Sequence, residues 1–341
     1  MLALWFLSHS AFCANLKLQG QKARSVLFEK PYFTLKIISK SCIFNVYLND
    51  IDVFSHDRVS HLNLEIPINH WMHPKHNDLR LEYATDKDWP LSSKRDCHIA
   101  LQVRPNKEDE HNNLILGSIH YLSQTLALNG PRLIVTPPGR YNSTRQLHKE
   151  DKGDVVIKKA MITGEHPDYF SRAVTLPMEI PNSLPLWAFY GSDEIPVIGQ
   201  MTEEQFYKFE TGFLKIYLDI IQGVVSGNID AILPLFAERN KETDQAFYFE
   251  SGHAAKKLKQ VFMDAHEKIK KNEEKPSSVE AKNLQFDYRG KYLVRLQGNH
   301  GTPVIWINYP KLRMSESFDI IFRRKNGQWI ISQFTRMIGD I

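Results

Sequence analysis

The chain has 341 residues, of which 42% are hydrophobic and 24% are charged, and its formal net charge is +4. A chain of this length is longer than a single hydrophobic core usually stabilises, so we expect two domains or slightly more. The composition excludes a mostly disordered chain and a polytopic membrane protein. The small net charge, with no dense run of Lys and Arg, argues against nucleic-acid binding.

The first 14 residues, MLALWFLSHSAFCA, contain a short apolar stretch followed by small residues, and they carry no acid, Lys or Arg. The stretch is too short to span a bilayer and is typical of the apolar region and cleavage end of a secretory signal peptide. The basic start region is missing, and cleavage after Cys13 or after Ala14 fits imperfectly. The alternative is an N-terminal strand or helix of a cytosolic protein. We predict that residues 1–14 are a truncated signal peptide, that no stable membrane span is present, and that the protein is periplasmic or secreted.

Removal of this leader takes Cys13 with it and leaves two cysteines, Cys42 and Cys97. In CIFNVYL and CHIALQV, alternation places each cysteine on the same strand face as apolar residues, so both should face a core. An even count in an oxidising compartment favours one disulfide, which we predict between Cys42 and Cys97. Two separate buried thiols are the alternative.

From residue 15 to 105 short strands alternate with turns. Runs such as YFTLKIIS, LRLEYAT and HIALQVR alternate or are rich in β-branched and aromatic residues, and no helical period competes. Several short strands at regular spacing predict an all-β sandwich. The string VYLNDIDVF…LEIPINHWMHPKHNDLRLEY resembles jelly-roll or galactose-binding-like modules, which would imply a carbohydrate-binding role.

Residues 106–200 are interpreted as a linker and an intermediate module. NKEDEHNN is a charged linker, and the remainder mixes short apolar and strand-like runs with the Pro-rich turn VTPPGRYNST. Asn142 within that turn matches a glycosylation acceptor, a match without meaning in a bacterial protein.

From residue 201 to 341 the pattern becomes α+β. In TEEQFYKFETGFLKIYLDIIQGVVSGN the apolar residues recur at spacings of three and four, which predicts a helix with one apolar face. Thr202 is suited to cap its start and Gly227 to end it. NIDAILPLFAER predicts a short second helix, SGHAAKKLKQVFMDAHEKIKKN predicts a third, and strands follow to the end.

Asn326-Gly327, between ESFDIIFRRK and QWIISQF, is the strongest short hairpin signal in the chain. Alternation from Trp329 places Phe334 on the opposite strand face. Three helices followed by a curved antiparallel sheet resemble the nuclear-transport-factor-2-like fold, the family that includes ketosteroid isomerase, over residues 205–336. The resemblance implies a cone-shaped α+β domain with a pocket. Because the family contains isomerases, dehydratases, ligand binders and protein-binding modules, it does not by itself give a function.

An isomerase of that family would need a carboxylate base in the pocket and an acid such as Tyr opposite it. The candidates are Asp287, Tyr288, Tyr309, Asp319 and His253. Nothing in the sequence aims these side chains at one another, and alternation makes Asp319 a solvated or cross-strand-paired carboxylate in the simplest interpretation. We therefore assign no catalytic residue.

Three histidines, His70, His73 and His76, stand close together in NHWMHPKHN. A metal site would need neutral imidazoles that converge on one point, usually with a fourth ligand, whereas the neighbouring proline and strands indicate a surface loop. A second polar group consists of Glu165, His166 and Asp168 in TGEHPDYF. The simpler interpretation of this segment is a turn and not a site. The chain has no G-x-S-x-G, G-x-x-x-x-G-K-[ST], H-E-x-x-H or C-x-x-C motif. We expect no metal and no cofactor.

Aromatic side chains offer binding anchors, because such residues dominate the energetics of protein interfaces. The candidates for binding a partner are Trp187, Phe189, Tyr190, Trp306, Tyr309 and Trp329. The alternative is that most of them belong to the core.

With an export leader and no catalytic motif, the chain resembles periplasmic immunity or adaptor proteins. We expect a non-enzymatic protein that binds a protein partner, such as a secreted toxin or a lipase-type effector. Two alternatives remain open. One is a small-ligand isomerase, dehydratase or hydrolase that uses the C-terminal pocket, and the other is a carbohydrate-binding module on the N-terminal sandwich.

Overall fold

The computed structural model describes residues 28–56, 60–84, 95–123, 132–136, 156–157, 161–163, 171–272, 285–298 and 303–340. The chain divides into two compact units between Leu186 and Trp187, called here the N-terminal unit and the C-terminal unit. The predicted leader, the acceptor Asn142, and the group Glu165, His166 and Asp168 lie outside the described residues. Within the described ranges, no helix combines the length and apolar character needed to cross a membrane.

The N-terminal unit consists of antiparallel strands joined by turns and short 3-10 segments. The strands are β1 (Tyr32–Lys40), β2 (Phe44–Leu48), β3 (Ile51–His56), β4 (His61–Pro67), β5 (His76–Ala84), β6 (Arg95–Arg104), β7 (Leu114–Ser123), β8 (Arg132–Thr136), β9 (Val156–Ile157), β10 (Met161–Thr163) and β11 (Ser171–Glu179). One sheet has the order β4-β1-β6-β7-β8, and the other has the order β10-β11-β5-β2-β3, with β9 also paired to β11. The predicted β-rich character of this part of the chain is confirmed.

Side-chain alternation explains why these segments are strands. In β2 every second residue is buried, which is the pattern of a strand with one face on a core. The β2–β3 connection is a two-residue turn in which Asn49 and Asp50 both have positive φ, 55° and 63°. Asn and Asp tolerate this left-handed conformation, so the turn suits the right-handed twist of the hairpin.

A disulfide connects the two sheets of the N-terminal unit. Cys42 lies just before β2 and Cys97 lies on β6, and their Cα atoms are 6.2 Å apart. Both cysteines are buried, as alternation predicts. Nearby in the topology, Tyr83 on β5 and Tyr121 on β7 bring rings from the two sheets to a centroid distance of 4.2 Å. The predicted pairing of Cys42 with Cys97 is therefore confirmed.

The C-terminal unit combines helices with one antiparallel sheet, which confirms the predicted α+β character. Its helices are α1 (Glu203–Ser226), α2 (Ile229–Ile232), α3 (Ala237–Ala246) and α4 (His253–Asn272). Its strands are β12 (Gln285–Arg289), β13 (Leu293–Gln297), β14 (Ile305–Tyr309), β15 (Met314–Lys325) and β16 (Gln328–Asp340). The sheet has the order β12-β13-β15-β14, and β16 pairs with β15.

Helix α1 begins and ends where its sequence predicts. The Thr202 side chain accepts a hydrogen bond from the Gln205 backbone, and the Gln205 side chain accepts one from the Thr202 backbone, which completes a capping box. Gly227 ends the helix with φ at 77°, a left-handed conformation that favours glycine. The helix buries one stripe of side chains: Phe209, Phe213, Tyr217, Ile220 and Val224.

Helix α3 is an element that the sequence pattern did not predict. The segment AERNKETDQA has almost no apolar face, and its buried positions include the polar residues Asn240 and Asp244. The Asp244 carboxylate accepts hydrogen bonds from the backbone of Gly252 and Ala254, both at 2.8 Å. This acceptor satisfies amides at the start of α4, which have no intrahelical partner. Helix α3 is therefore held in position by hydrogen bonds to the start of the next helix and not by a periodic apolar face.

The β15–β16 hairpin has the predicted Asn326-Gly327 turn, with φ at 51° and 75°. The register shifts between Ile321 and Phe322, so that β16 contains one extra residue opposite this point. Trp329 packs on Phe213 of α1 at a centroid distance of 3.9 Å, and Phe334 packs on Phe262 of α4 at 5.4 Å. The expectation that Trp329 and Phe334 lie on opposite faces is therefore wrong, because the bulge restores both rings to the helical side.

Candidate functional site

The interior of the C-terminal unit is filled by aromatic and aliphatic side chains. Phe213 and Phe322 have ring centroids 4.9 Å apart, and Phe262 and Phe318 have centroids 5.6 Å apart. All four side chains have an exposed fraction of 0%. A ligand pocket needs open volume with a few convergent polar groups. Among the described residues, tightly packed apolar side chains occupy the space between the helices and the sheet where such a pocket would lie.

The two aspartates considered as bases lie on the outer face of the sheet. Phe286 contacts Phe213 of α1, and strand alternation turns the next residue, Asp287, away from the helices. Arg295 lies between the carboxylates: its Nε donates to Asp287 Oδ2 at 2.7 Å and its Nη1 donates to Asp319 Oδ2 at 2.8 Å. Asp319 is thus a cross-strand-paired carboxylate, the simpler of the two interpretations made from the sequence.

The tyrosines considered as acids belong to other surroundings. The Tyr288 hydroxyl donates to the Pro196 carbonyl at 3.0 Å, and burial raises the pKa of Tyr288. The Tyr309 hydroxyl lies 3.4 Å from Glu316 Oε2, and burial, with a smaller contribution from the Glu316 charge, raises the pKa of Tyr309. His253 is the first residue of α4. Neither Tyr288 nor Tyr309 is hydrogen-bonded to Asp287 or Asp319.

Glu316 is a buried carboxylate that was not among the residues predicted from the sequence. Its side chain has an exposed fraction of 0%, and it receives Lys268 Nζ on Oε2 at 3.2 Å and Arg336 Nε on Oε1 at 2.5 Å. Each oxygen is therefore occupied by a cation, as buried charges require. The sequence gives only a weak indication that Glu316 is buried. In ESFDIIF it shares a strand face with Phe318 and Ile320 only if the strand begins before residue 316.

The three histidines do not converge. His73 Nδ1 accepts from the backbone amides of Lys75 and His76, both at 3.1 Å, and burial lowers the pKa of His73. His76 Nδ1 instead lies 3.8 Å from Glu179 Oε1, and the His70 ring lies beside Trp71. In the part of the chain that is described, no group of three His, Cys, Asp or Glu side chains is placed to hold a metal ion.

The aromatic binding candidates fall into two classes. Trp187, Phe189 and Tyr309 are buried, which favours the core interpretation for them. Tyr190, Trp306 and Trp329 are half-buried. Of these three, Trp329 lines a cavity described below, and Tyr190 and Trp306 line neither that cavity nor the second one described with it.

The cavity beside Trp329 has a volume of about 730 Å³ and lies between α1 and the β15–β16 turn. We call it the Trp329 groove. It is lined by Pro196, Gln200, Met201, Gln205, Lys208, Phe209, Gly212, Ile216, Arg324, Gly327, Gln328 and Trp329. The absence of a side chain at Gly212 lets the indole approach α1, because an added Cβ would lie 3.0 Å from Trp329 Cδ1.

Arg324 covers the outer side of the indole. It is paired directly opposite Trp329 across the hairpin, and its guanidinium carbon lies 5.7 Å from the ring centroid. This distance is within the range of cation–π attraction. The hairpin turn alone would have predicted the pairing, since a two-residue Asn-Gly loop places residues 324 and 329 opposite each other. Trp329 was among the residues predicted to bind a partner, and Arg324 was not.

A second cavity of about 630 Å³ lies near α3 and the start of α4. Its lining contains charges of both signs, Asp230, Lys241 and Asp244. Asp230 pairs with Lys259 at 2.6 Å, and Asp244 is bonded to backbone amides. The two carboxylates of this lining therefore already have partners within the protein.

Comparison of the chain with known proteins finds no matching family model, no matching curated protein and no matching solved structure.

Proposed function

We propose that this chain is an exported, non-enzymatic protein that binds a protein partner, and that its C-terminal unit is a nuclear-transport-factor-2-like domain with a filled interior. An immunity protein that neutralises a secreted toxin or lipase-type effector fits this proposal. The observation that carries it is the Trp329 groove, where an indole and a guanidinium lie together at an accessible surface. Trp and Arg are two of the residue types most enriched among the residues that dominate binding energy.

Two further features support the proposal. The Cys42–Cys97 disulfide is compatible with export, because such bridges persist in oxidising compartments. The carboxylates considered for catalysis are engaged by Arg295 on the outer face of the sheet. An isomerase needs such a group inside a pocket, facing the proton it moves.

Site-specific photocrosslinking tests the binding proposal. A benzophenone amino acid at Gln328, which is exposed and lines the groove, should give a discrete crosslinked protein in the exported fraction of the source cells. The same group at Tyr207, which is exposed on α1 outside the groove lining, is the matched control. Crosslinking at both positions alike, or at neither, would contradict a partner-binding groove.

Two additional measurements complete the test. If the protein is exported, the mass of the native protein should correspond to a chain that lacks the leader, and an intact Met1 would contradict export. If the protein is an immunity protein, the crosslinked partner should be an enzyme or toxin whose activity falls when the purified chain is added in equal amount. Retention on a glycan array without any crosslinked protein would favour the carbohydrate-binding alternative.

A further inference from the structure

The charged side chains that line the Trp329 groove are all basic. Lys208 and Arg324 are the only charged residues in its lining, every member of which lies in the described ranges. Lys208 already pairs with Glu204 at 2.6 Å on the exposed surface of α1. Arg324 has no ion pair within the described part of the chain, and its buried Nε has no hydrogen-bond partner there.

Asp193 contacts the hairpin turn but does not form an ion pair with Arg324. Asp193 Oδ2 accepts the backbone amide of Gly327 at 2.9 Å, so that carboxylate is used to hold the hairpin turn. The backbone amide of Asp193 donates to the backbone carbonyl of Arg324 at 2.8 Å, and this bond holds the strand and not the guanidinium. The guanidinium therefore lies over the indole, and its Nε has no hydrogen-bond partner among the described residues. A planar guanidinium with free donors is the group best shaped to accept a carboxylate.

Part of the groove lining is apolar. Met201 and Ile216 are half-buried, Phe209 is buried, and the Phe209 ring packs edge-on against Trp329 at 4.8 Å. A bulky apolar side chain would replace water along this wall, and contacts of this kind supply most binding energy. An occupant that satisfies both parts of the groove carries a carboxylate next to an aromatic or large aliphatic group.

The rim of the groove favours a chain segment over a small molecule. Gln200, Gln205, Lys208, Gly327 and Gln328 are all exposed, so one side of the groove is open to solvent. Small-ligand sites usually bury most of the ligand surface, which an open groove does not achieve. A polypeptide lying across the opening would cover the rim and bond to its exposed amides.

We propose that the Trp329 groove binds a segment of the protein partner in which an Asp or Glu lies beside an aromatic or large aliphatic residue. Arg324 receives the carboxylate, and Met201 with Trp329 receives the apolar side chain. This inference rests on the proposed function, because it names the chemistry of the partner at the same groove. Screening of the Arg324 charge should make binding weaken as ionic strength rises.

Matched peptides test the chemistry with the full chain. The probes are acetylated, amidated and fluorescently labelled peptides that contain Glu-Phe-Asp-Leu, its amide isostere Gln-Phe-Asn-Leu, or the apolar-truncated Glu-Ala-Asp-Ala. Fluorescence anisotropy should show that the first peptide binds about tenfold to a hundredfold more tightly than either of the others, as expected when a charge-assisted hydrogen bond or a buried apolar group is lost. Equal affinity for the acidic peptide and its isostere would overturn the inference.

Variants assign the binding to the groove. Arg324→Gln and Met201→Ser should each weaken binding of the acidic peptide about tenfold or more, by removal of the carboxylate partner and of an apolar contact. Lys311→Gln and Tyr207→Ala change an exposed cation and an exposed aromatic outside the groove lining and should leave the affinity unchanged. Met201 is only partly buried against the core, and unchanged hydrogen exchange of α1 in Met201→Ser would show that a loss of affinity comes from the groove and not from unfolding.

Three outcomes separate this inference from the proposed function. If Gln328 crosslinks an exported protein whose capture is unaffected by Arg324→Gln, the inference fails and the proposed function stands. If no exported protein crosslinks, the proposed function fails. If free 4-phenylbutyrate binds as tightly as the acidic peptide and displaces it, the groove is a small-ligand site and the inference fails.

Discussion

Removal of the Cys42–Cys97 bridge should lower the stability of the N-terminal unit by an amount that follows from the length of chain the bridge closes. The bridge connects residues separated by 55 positions. In the chain-entropy model, a loop of that length stabilises the folded state by about 4 kcal/mol at 25 °C, because the crosslink restricts the unfolded chain. Since both bridged cysteines are buried, substitution by alanine also removes a small amount of packing, and the two contributions must be measured separately.

A double-mutant cycle separates them. Cys42→Ala and Cys97→Ala each abolish the same bridge, so the two losses should not add in the double variant. We expect the sum of the single losses to exceed the loss in the double variant by about 4 kcal/mol. The packing contributions appear in the double variant and cancel from this difference.

Hydrogen exchange with mass spectrometry is the suitable assay, because two-state unfolding does not hold for a chain of several units. Loss of the bridge should speed exchange of the slowest amides in β1 and β6 by about a thousandfold, which corresponds to 4 kcal/mol. Peptides from β15 and β16 belong to the C-terminal unit and serve as an internal control. Single losses that simply add, with a difference below about 0.5 kcal/mol, would refute the bridge or the entropic argument for it.

Three further predictions concern single residues. Asp244→Asn leaves one acceptor for two amides and should cost about 1–3 kcal/mol, seen as faster exchange in the first turn of α4. Gly227→Ala should destabilise the C-terminal unit more than Gly252→Ala, seen as faster hydrogen exchange in α1: both glycines have positive φ, 77° and 89°, but only a Cβ at 227 meets His266, at 2.9 Å. Burial lowers the pKa of His73, so its contribution to the free energy of unfolding is fully present above the ordinary pKa near 6.5. That contribution is lost as the pH falls toward the lowered pKa. An imidazole that titrates at or above about 6.5 by NMR would contradict this.

The strands of the N-terminal unit could be predicted because one physical signal decides them. A strand with one buried face repeats every two residues, and CIFNVYL and CHIALQV show this repeat without a competing helical period. The same alternation placed Cys42 and Cys97 in the core, and the structure buries both. Helix α1 was equally accessible, because its apolar stripe is bounded by a capping residue and a glycine.

Other elements depend on contacts that are distant in sequence. Helix α3 has its polar residues bonded across to α4, which no local period reveals. The bulge opposite Ile321 and Phe322 inserts a single residue and reverses every assignment of faces beyond it. In the candidate site, Trp329 was identified by residue type alone, whereas Arg324 becomes meaningful only through its register on the hairpin. The filled interior likewise could not be foreseen, since the same apolar residues would line a pocket or a core.

Arg323 and Arg324 show how stability and binding separate on one strand. Arg323 has an exposed fraction of 1% and pairs with Glu238, and a buried charge without its partner would be strongly destabilising. Arg324 points to the other face, lies on Trp329 and has no ion pair among the described residues. Folding therefore uses the first guanidinium, and the second is the one that we propose for partner binding. A charge count of the sequence treats both residues alike, but the pleat of the strand makes one of them part of the core and the other part of a surface.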